Sequence, residues 1–324
     1  MITRGIFVVG FIASLGMVLS GSAFAEKKLS GTVKIDGSST VYPLSEAVAE
    51  EFLKKHRRVR VTVGVSGTGG GFKKFSAGET DVSDASRPIK DKEAKKAAGN
   101  KIEFIELPVA YDGIAVVVNK NNPVNNISKD ELKVMWGQAK KPKTWNQVSS
   151  KFPKGELKLY GPGPENGTFD YFTEAVLGKK GKPRPDYTQS EDDNVLVRGI
   201  SGDKNAVGYF GFSYYMENKD KIKALKVDSI EPTATTIESG TYPISRPIFI
   251  YVSKNSLQRP EVQEFVQFYM ENASSLAAQV GMVPLSEKLY AAARKRLQQQ
   301  VTGTVYTSSD KKKMGLAKLY NLVN

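Results

Sequence analysis

Val59-Arg60-Val61-Thr62-Val63-Gly64-Val65 runs directly into Ser66-Gly67-Thr68-Gly69-Gly70-Gly71-Phe72. The first half is a β-branched run, the composition of a buried strand. The second half breaks into hydroxyls and glycines, then restarts as a helix-like pattern at Phe72-Lys73-Lys74-Phe75. Strand, tight turn and helix start together make a place for an anion. Glycines let backbone come close to a ligand, and the free N–H groups of a first helical turn point outward at the positive end of the helix dipole. Ser66 and Thr68 add hydroxyl donors. A single Gly-rich turn more often only reverses the chain. Here the pattern recurs. Val33-Lys34-Ile35-Asp36 enters Gly37-Ser38-Ser39-Thr40-Val41-Tyr42-Pro43, and Leu157-Lys158-Leu159-Tyr160 enters Gly161-Pro162-Gly163-Pro164-Glu165-Asn166-Gly167-Thr168-Phe169. Three such turns predict several helix N-termini converging on one anion.

The first 25 residues read as an export signal. Arg4 is its basic start, residues 6–19 are its apolar stretch, and Ala23-Phe24-Ala25 fits the small-x-small cleavage pattern, so the mature chain is expected to begin at Glu26. The apolar stretch is too short for a membrane anchor. The chain has no cysteine, which excludes a lipid anchor on cysteine and any disulfide. A soluble exported protein is therefore expected, in the periplasm, with cores large enough to stand without staples. About 300 residues remain, enough for two domains.

The net charge of +13 suits an anionic ligand but names none. The lysine runs at 92–96, 140–143, 179–182 and 311–313 are scattered, not gathered on one helix face. No nucleic-acid motif accompanies them, so nucleic acid is not an expected partner. One histidine, His56, follows an amphipathic helix and is expected to be exposed. One histidine and no cysteine argue against a zinc or copper site, and no cofactor is expected.

Strands alternate with helices along the rest of the chain, which indicates an α/β class. Pro43 opens a helix, where its missing N–H costs nothing, and Ser39 and Thr40 stand at the entrance as caps or ligands. A short strand from Asp81 ends in Ser86-Arg87-Pro88, and Arg87 beyond its end could clamp an oxyanion with its fork of donors. Residues 91–99 read as an exposed helix. Residues 102–107 and 113–119 read as two strands separated by Pro108 and the Tyr111-Asp112-Gly113 step, a crossing between lobes. Ser128-Lys129-Asp130-Glu131 is a capping box, and Trp136 and Trp145 are assigned to local core. Helices are expected over 168–177, 190–197, 212–219, 261–270, 274–280 and 285–299. Tyr242-Pro243-Ile244-Ser245-Arg246-Pro247, leading into the apolar strand 248–252, reads as the return crossing.

These motifs, with Asp84-Ala85-Ser86-Arg87-Pro88-Ile89, Ser190-Glu191-Asp192-Asp193-Asn194 and Gly208-Tyr209-Phe210-Gly211-Phe212, resemble the periplasmic phosphate-binding proteins of bacterial ABC phosphate importers, the PstS-like family. The resemblance runs over essentially the whole mature chain. It implies a bilobal periplasmic-binding-protein fold, with two α/β lobes joined by a two-strand hinge: one lobe from 26–110 and 246–324, the other from 111–245. It implies capture of inorganic phosphate in the cleft and delivery to the transmembrane subunits of an ABC permease, by a protein expected to be a monomer. The family's ligand-holding groups fall on Thr40 and Val41 of the first turn, Ser66 and Thr68 of the second, and Asn166, Gly167 and Thr168 of the third. Two departures stand out. The usual serine of the third turn is Asn166, and the aspartate at the end of the Asp-Val-Ser strand is Ser86. The arginine that precedes the third turn in many members is absent from Pro162-Gly163-Pro164-Glu165, and Arg87 is its expected replacement. At neutral pH phosphate carries a proton and sulfate none, so a site that rejects sulfate needs an acceptor facing that proton. Asp112 is nominated as that acceptor, with Ser86 the alternative.

Other function classes fit less well. Gly64-Val65-Ser66-Gly67-Thr68 lacks the closing glycine of a nucleophile elbow, and the lone histidine has no visible role as a base. Residues 67–74 do not fit P-loop spacing. A secreted phosphatase-like enzyme would need a metal-ligand cluster, and a surface adhesin would rely on the scattered lysines. An enzyme is not expected.

Overall fold

The computed structural model describes residues 1, 29–164, 166–178, 183–190, 192–306 and 315–321. The export segment and its cleavage point lie outside these. The β-branched run forms strand β2 (Val59–Val65), and it pairs in parallel with β1 (Gly31–Gly37). Between them runs α1 (Tyr42–Lys55), with Pro43 in its first turn. The glycine-rich turn opens α2 (Gly67–Ser76), followed by β3 (Val82–Ala85), which also pairs in parallel with β1, and α3 (Asp91–Gly99). Each parallel pair is joined by a helix, as parallel pairing requires.

Next comes β4 (Phe104–Asn119), whose sixteen residues are all buried. Two strands with a crossing between them were expected here, and one continuous strand replaces them. Its pairing with β11 (Ser245–Ser253) explains how Pro108 is tolerated. Phe249 faces Pro108 and Ile248 faces Ala110, so Val109 is an extra residue on β4. The bulge accommodates a proline that has no N–H to give the ladder.

The second half of the chain contains β5 (Asn126–Ile127), α4 (Lys129–Trp136), α5 (Trp145–Val148), β6 (Lys158–Gly161), α6 (Gly167–Phe172), β7 (Thr188–Gln189), α7 (Asp193–Gly202), β8 (Ala206–Gly211), α8 (Phe212–Asn218), β9 (Ile222–Ala224), β10 (Lys226–Val227) and α9 (Ala234–Glu238). The Ser128 capping box forms as expected. The chain then returns through β11 to α10 (Pro260–Gln279), α11 (Glu287–Gln298) and α12 (Leu316–Leu319).

Among the described residues the main sheet follows the order β2-β1-β3-β11-β4-β8-β6-β7, with β9 also beside β4. The first half of β4 pairs with β11, and its second half pairs antiparallel with β8 and β9. This one strand carries the sheet from one half of the molecule to the other, and the mixed α/β fold is that of the bilobal binding proteins. Helices α1 and α10 cover the first half through Phe52, which meets Phe265 and Phe268 edge-on. Trp136 fills the second half between Phe172 and Tyr209, whose rings stack 3.7 Å apart. Trp145 is fully buried and donates to the Asn205 carbonyl at 2.9 Å.

Several boundaries differ from expectation. The helices expected over 261–270 and 274–280 are one continuous helix, α10, which ends at Gln279; within it Asn272 donates to the Phe268 carbonyl at 2.8 Å instead of ending a turn. The helix expected over 168–177 begins as α6 and finishes as a π-turn over Thr173–Leu177. Thr173 bonds back to the Phe169 and Asp170 carbonyls there, a competition with the helix ladder that bends it. The helix expected from 190 starts at Asp193, capped by Asp192. Ser39 and Thr40 do not cap α1: the cap position is Val41, with no side-chain bond. His56 is half-buried, stacked on Phe52 and 4.0 Å from Glu264, where exposure was expected. Among the described residues no helix is long and apolar enough to cross a membrane.

Candidate functional site

The turns after β1, β2 and β6 meet at the C-terminal edge of the sheet. That is where open α/β sheets place ligands, because helix N-termini gather there. In the first turn Gly37 lies at φ 154°, and a Cβ there would fall 2.1 Å from the Asp84 carbonyl. Only glycine fits so close an approach. Ser38 then accepts from the amides of Thr40, Val41 and Tyr42 at 3.0 to 3.2 Å, through its hydroxyl for Thr40 and its carbonyl for the other two. The turn is thereby held rigid, with the Thr40 hydroxyl directed across the cleft.

The third turn closes on the first. Asn166 caps α6, its side-chain oxygen accepting from the Thr168 amide at 2.9 Å. Gly167 packs so tightly against the first turn that a Cβ would lie 2.8 Å from Thr40 Cα. Thr40 Oγ1 contacts the Gly167 carbonyl at 3.5 Å, and Ser39 Oγ donates to Asp170 at 2.9 Å. At the other end of the contact, the Tyr111 amide donates to the Val283 carbonyl at 2.8 Å, while Ser213 donates to the Met282 carbonyl at 2.9 Å. The 282–283 segment thus touches both halves.

Two cavities of about 480 Å³ each open along this contact. Ser39, Thr40, Asp112, Asn166, Gly167 and Thr168 line the first. Ser86, Arg87 and Arg246 line the second. Arg246 forms the wall between them. It stands opposite Asp112 in the β4–β11 register, beyond the bulge. Its Nη2 donates to Thr40 Oγ1 at 3.0 Å, and Nη1 reaches Glu174 at 3.3 Å. Its guanidinium lies 3.7 Å above the Tyr171 ring, in cation–π geometry. Nε is buried and makes no hydrogen bond among the described residues, although the Asp112 carboxylate is 3.5 Å away. Burial pushes the Asp112 carboxyl up to about 6, against the Arg246 charge that pulls it down.

The expected site residues divide accordingly. Thr68 is buried and bonds to the Ser86 hydroxyl at 3.0 Å, while accepting from the Ser86 amide at 3.1 Å. Val41 is fully buried in the core. Ser66 lines neither cavity: its hydroxyl donates to Asp36, which also takes Lys74 at 2.6 Å. Arg87 lies in the second cavity with its fork already occupied, bidentate to Glu93 at 2.8 and 2.9 Å. Burial opposes ionisation of Glu93, but its bonds from Arg87 and the Lys90 amide outweigh that and hold it below its ordinary value. Arg246 lies in the Tyr242–Pro247 motif and Tyr171 in the helix expected over 168–177, and sequence reasoning assigns neither to the site. Ser-Arg-Pro occurs twice, at 86–88 and 245–247. Nothing in either tripeptide says which arginine finds a carboxylate on its own surface and which reaches the cleft. No group of three or more His, Cys, Asp or Glu among the described residues could hold a metal.

A family model for the PBP superfamily domain matches residues 22–273. The chain belongs to the PBP superfamily. Within it, the protein SphX of Synechococcus elongatus is 52% identical over 282 residues, covering 85% of this chain and 83% of that one. The phosphate-binding protein PstS of Staphylococcus saprophyticus is 40% identical over 300 residues, covering 90% and 92%. The crystal structure of a possible phosphate binding protein from Planctomyces limnophilus superposes with a TM-score of 0.81 at 44% identity, covering 84% of this chain and 99% of that one. These likenesses extend over both halves of the PBP fold.

Proposed function

We propose that this chain captures inorganic phosphate between lobes 26–110 plus 246–324 and 111–245, outside the inner membrane, and delivers it to the transmembrane subunits of an ABC permease. The observation that carries the reading is Arg246, a largely buried guanidinium that donates to the Thr40 hydroxyl, shares a cavity with Ser86 and keeps Nε without a hydrogen bond among the described residues. Phosphate must shed water to enter such a place, so oriented donors have to replace it. Thr40, Ser86, the third-turn groups Asn166, Gly167 and Thr168, and the Arg246 fork supply them, with Thr68 orienting Ser86. Ser39 and Val41 hold the first turn beside the ion. Ser66 and Arg87 support the site from outside, through Asp36 and Glu93. Asp112 accepts the proton that phosphate carries and sulfate lacks.

The seat is not strongly cationic, since Asp112 and Glu174 both face Arg246. Attraction by net charge therefore contributes little, and affinity comes from directed hydrogen bonds. Both lobes contribute donors, so binding and closure are linked. Calorimetric titration of ligand-depleted protein is the test: phosphate binds one to one and sulfate fails to compete. Absence of phosphate binding would overturn the reading.

A further inference from the structure

The loop between α10 and α11 is held to one shape. α10 stops at Gly281, which lies at φ 78°. The Gly281 amide bonds to the Ala278 carbonyl at 3.2 Å and the Met282 amide to the Ala277 carbonyl at 2.8 Å, the pair of reversed bonds that a left-handed glycine allows at a helix end. Val283 then exchanges both backbone hydrogen bonds with Tyr111 of β4, at 2.8 and 3.0 Å. Tyr290 of α11 donates to the Val109 carbonyl at 2.7 Å. The loop is thereby fixed to the middle of β4, where the sheet passes from one half of the molecule to the other. Its Met282 carbonyl accepts from the hydroxyl of Ser213, in α8, at 2.9 Å. Gly211 at the end of β8 comes so near that a Cβ there would lie 3.1 Å from the Gly281 carbonyl oxygen. Residues 208–212, a motif with no part in holding phosphate, thus deliver α8 against the loop. Gly281 and Met282 line the first cavity with Gly211, Thr40 and Asn166, whereas Ser213 lines neither cavity.

We infer that residues 281–283 form a strap that keeps the loaded cleft shut, with the Ser213 hydroxyl as its fastening, and that this bond sets how fast phosphate leaves. This rests on the phosphate reading and the two lobes above. When the lobes part, the strap stays with β4, because its backbone pairs hold it to Tyr111, and Ser213 departs with α8. Each opening then breaks a hydrogen bond that touches no atom of the ion. A contact made in the closed form alone slows release without assisting entry. Ser213 is on this account a positioning residue, and one neutral hydrogen bond corresponds to about a fivefold change in rate.

Ser213→Ala tests this. Protein loaded with radiolabelled inorganic phosphate and chased with excess unlabelled phosphate gives the dissociation rate, and calorimetry gives Kd and stoichiometry. Dissociation is expected to be about fivefold faster and Kd higher by the same factor, with association and the one-to-one stoichiometry unchanged. A merely structural role would lower the stoichiometry or slow association instead. The inference is overturned if the variant releases phosphate at the parent's rate, or if slower association accounts for its loss of affinity. A parent that binds no phosphate removes the phosphate reading, and this inference with it. Should Ser213→Ala fold poorly, Gly211→Ala decides. Its Cβ presses on the Gly281 carbonyl and is expected to speed release in the same way, and release at the parent's rate overturns the inference.

Discussion

Two arginines in the same tripeptide have different tasks because of what each finds within reach. Arg87 meets Glu93 six residues along its own chain, whereas Arg246 meets Thr40 and Glu174 from distant parts of the sequence. Arg246→Ala is therefore expected to lower phosphate affinity by about one to two decades, the cost of losing charged hydrogen bonds. Arg87→Ala is expected to change affinity far less and to lower thermal stability, because it strips Glu93 of its partner. Titration and melting of both variants check the contrast, and equal affinity losses would contradict it. At Asp112, replacement by Asn puts an amide donor where a carboxylate could only accept. The variant is expected to gain sulfate binding, read by sulfate competition at neutral pH. Continued rejection of sulfate would move the proton-reading role to Ser86.

At the scale of elements, the site depends on how two turns approach each other. The third turn lies against the first with no room for a side chain at Gly167, since the atoms a Cβ would meet belong to the Ser39 and Thr40 backbone and cannot rotate away. Gly167→Ala is expected to hold the turns apart and weaken phosphate binding by at least about tenfold. Far-ultraviolet circular dichroism should stay unchanged, because Gly167 sits in a first helical turn where alanine is well tolerated. The β4 bulge acts on the same scale. Because side chains alternate along a strand, one residue more or less moves every following side chain to the other face. Val109 as an unmatched residue thus decides which face Asp112 presents, and with it the Arg246 pairing.

Across the whole molecule, buried carboxyls, Asp84 and Asp112 among them, make stability depend on pH. Burial pushes Asp84 up to about 7; its bond from Ser45 opposes this and the Asp36 charge adds to it. Asp112 stands at about 6. Both folded-state values lie above the ordinary 3.8. Between those limits the folded chain holds protons that the unfolded chain has released. The contribution of these groups is therefore full below about pH 4 and falls as pH rises toward 7. For Asp84 alone the slope is about 1.4 kcal/mol per pH unit. Urea unfolding of the parent and of Asp84→Asn at several pH values checks this, with the variant expected to gain on the parent from pH 4.5 to 7.5. A constant difference between them would show that Asp84 titrates normally.

The sequence by itself determined the α/β class, the three glycine-rich turns and the family, because these are local. A β-branched run, a capping box or a glycine at a strand end has its meaning within a few residues. It also supplied the cavity-lining residues that belong to those turns: Ser39, Thr40, Asn166, Gly167 and Thr168. Only the tertiary structure decided that β4 is one strand bulged at Pro108 and Val109, and that Arg246 rather than Arg87 divides the cleft. It also decided that Ser66 turns away to Asp36 and that Ser213 meets the loop after α10. The reason is common to all of these. Strand register, ion pairing and the meeting of distant turns depend on residues far apart in the chain, 206 positions for Arg246 and Thr40, and local spacing carries no record of such pairs.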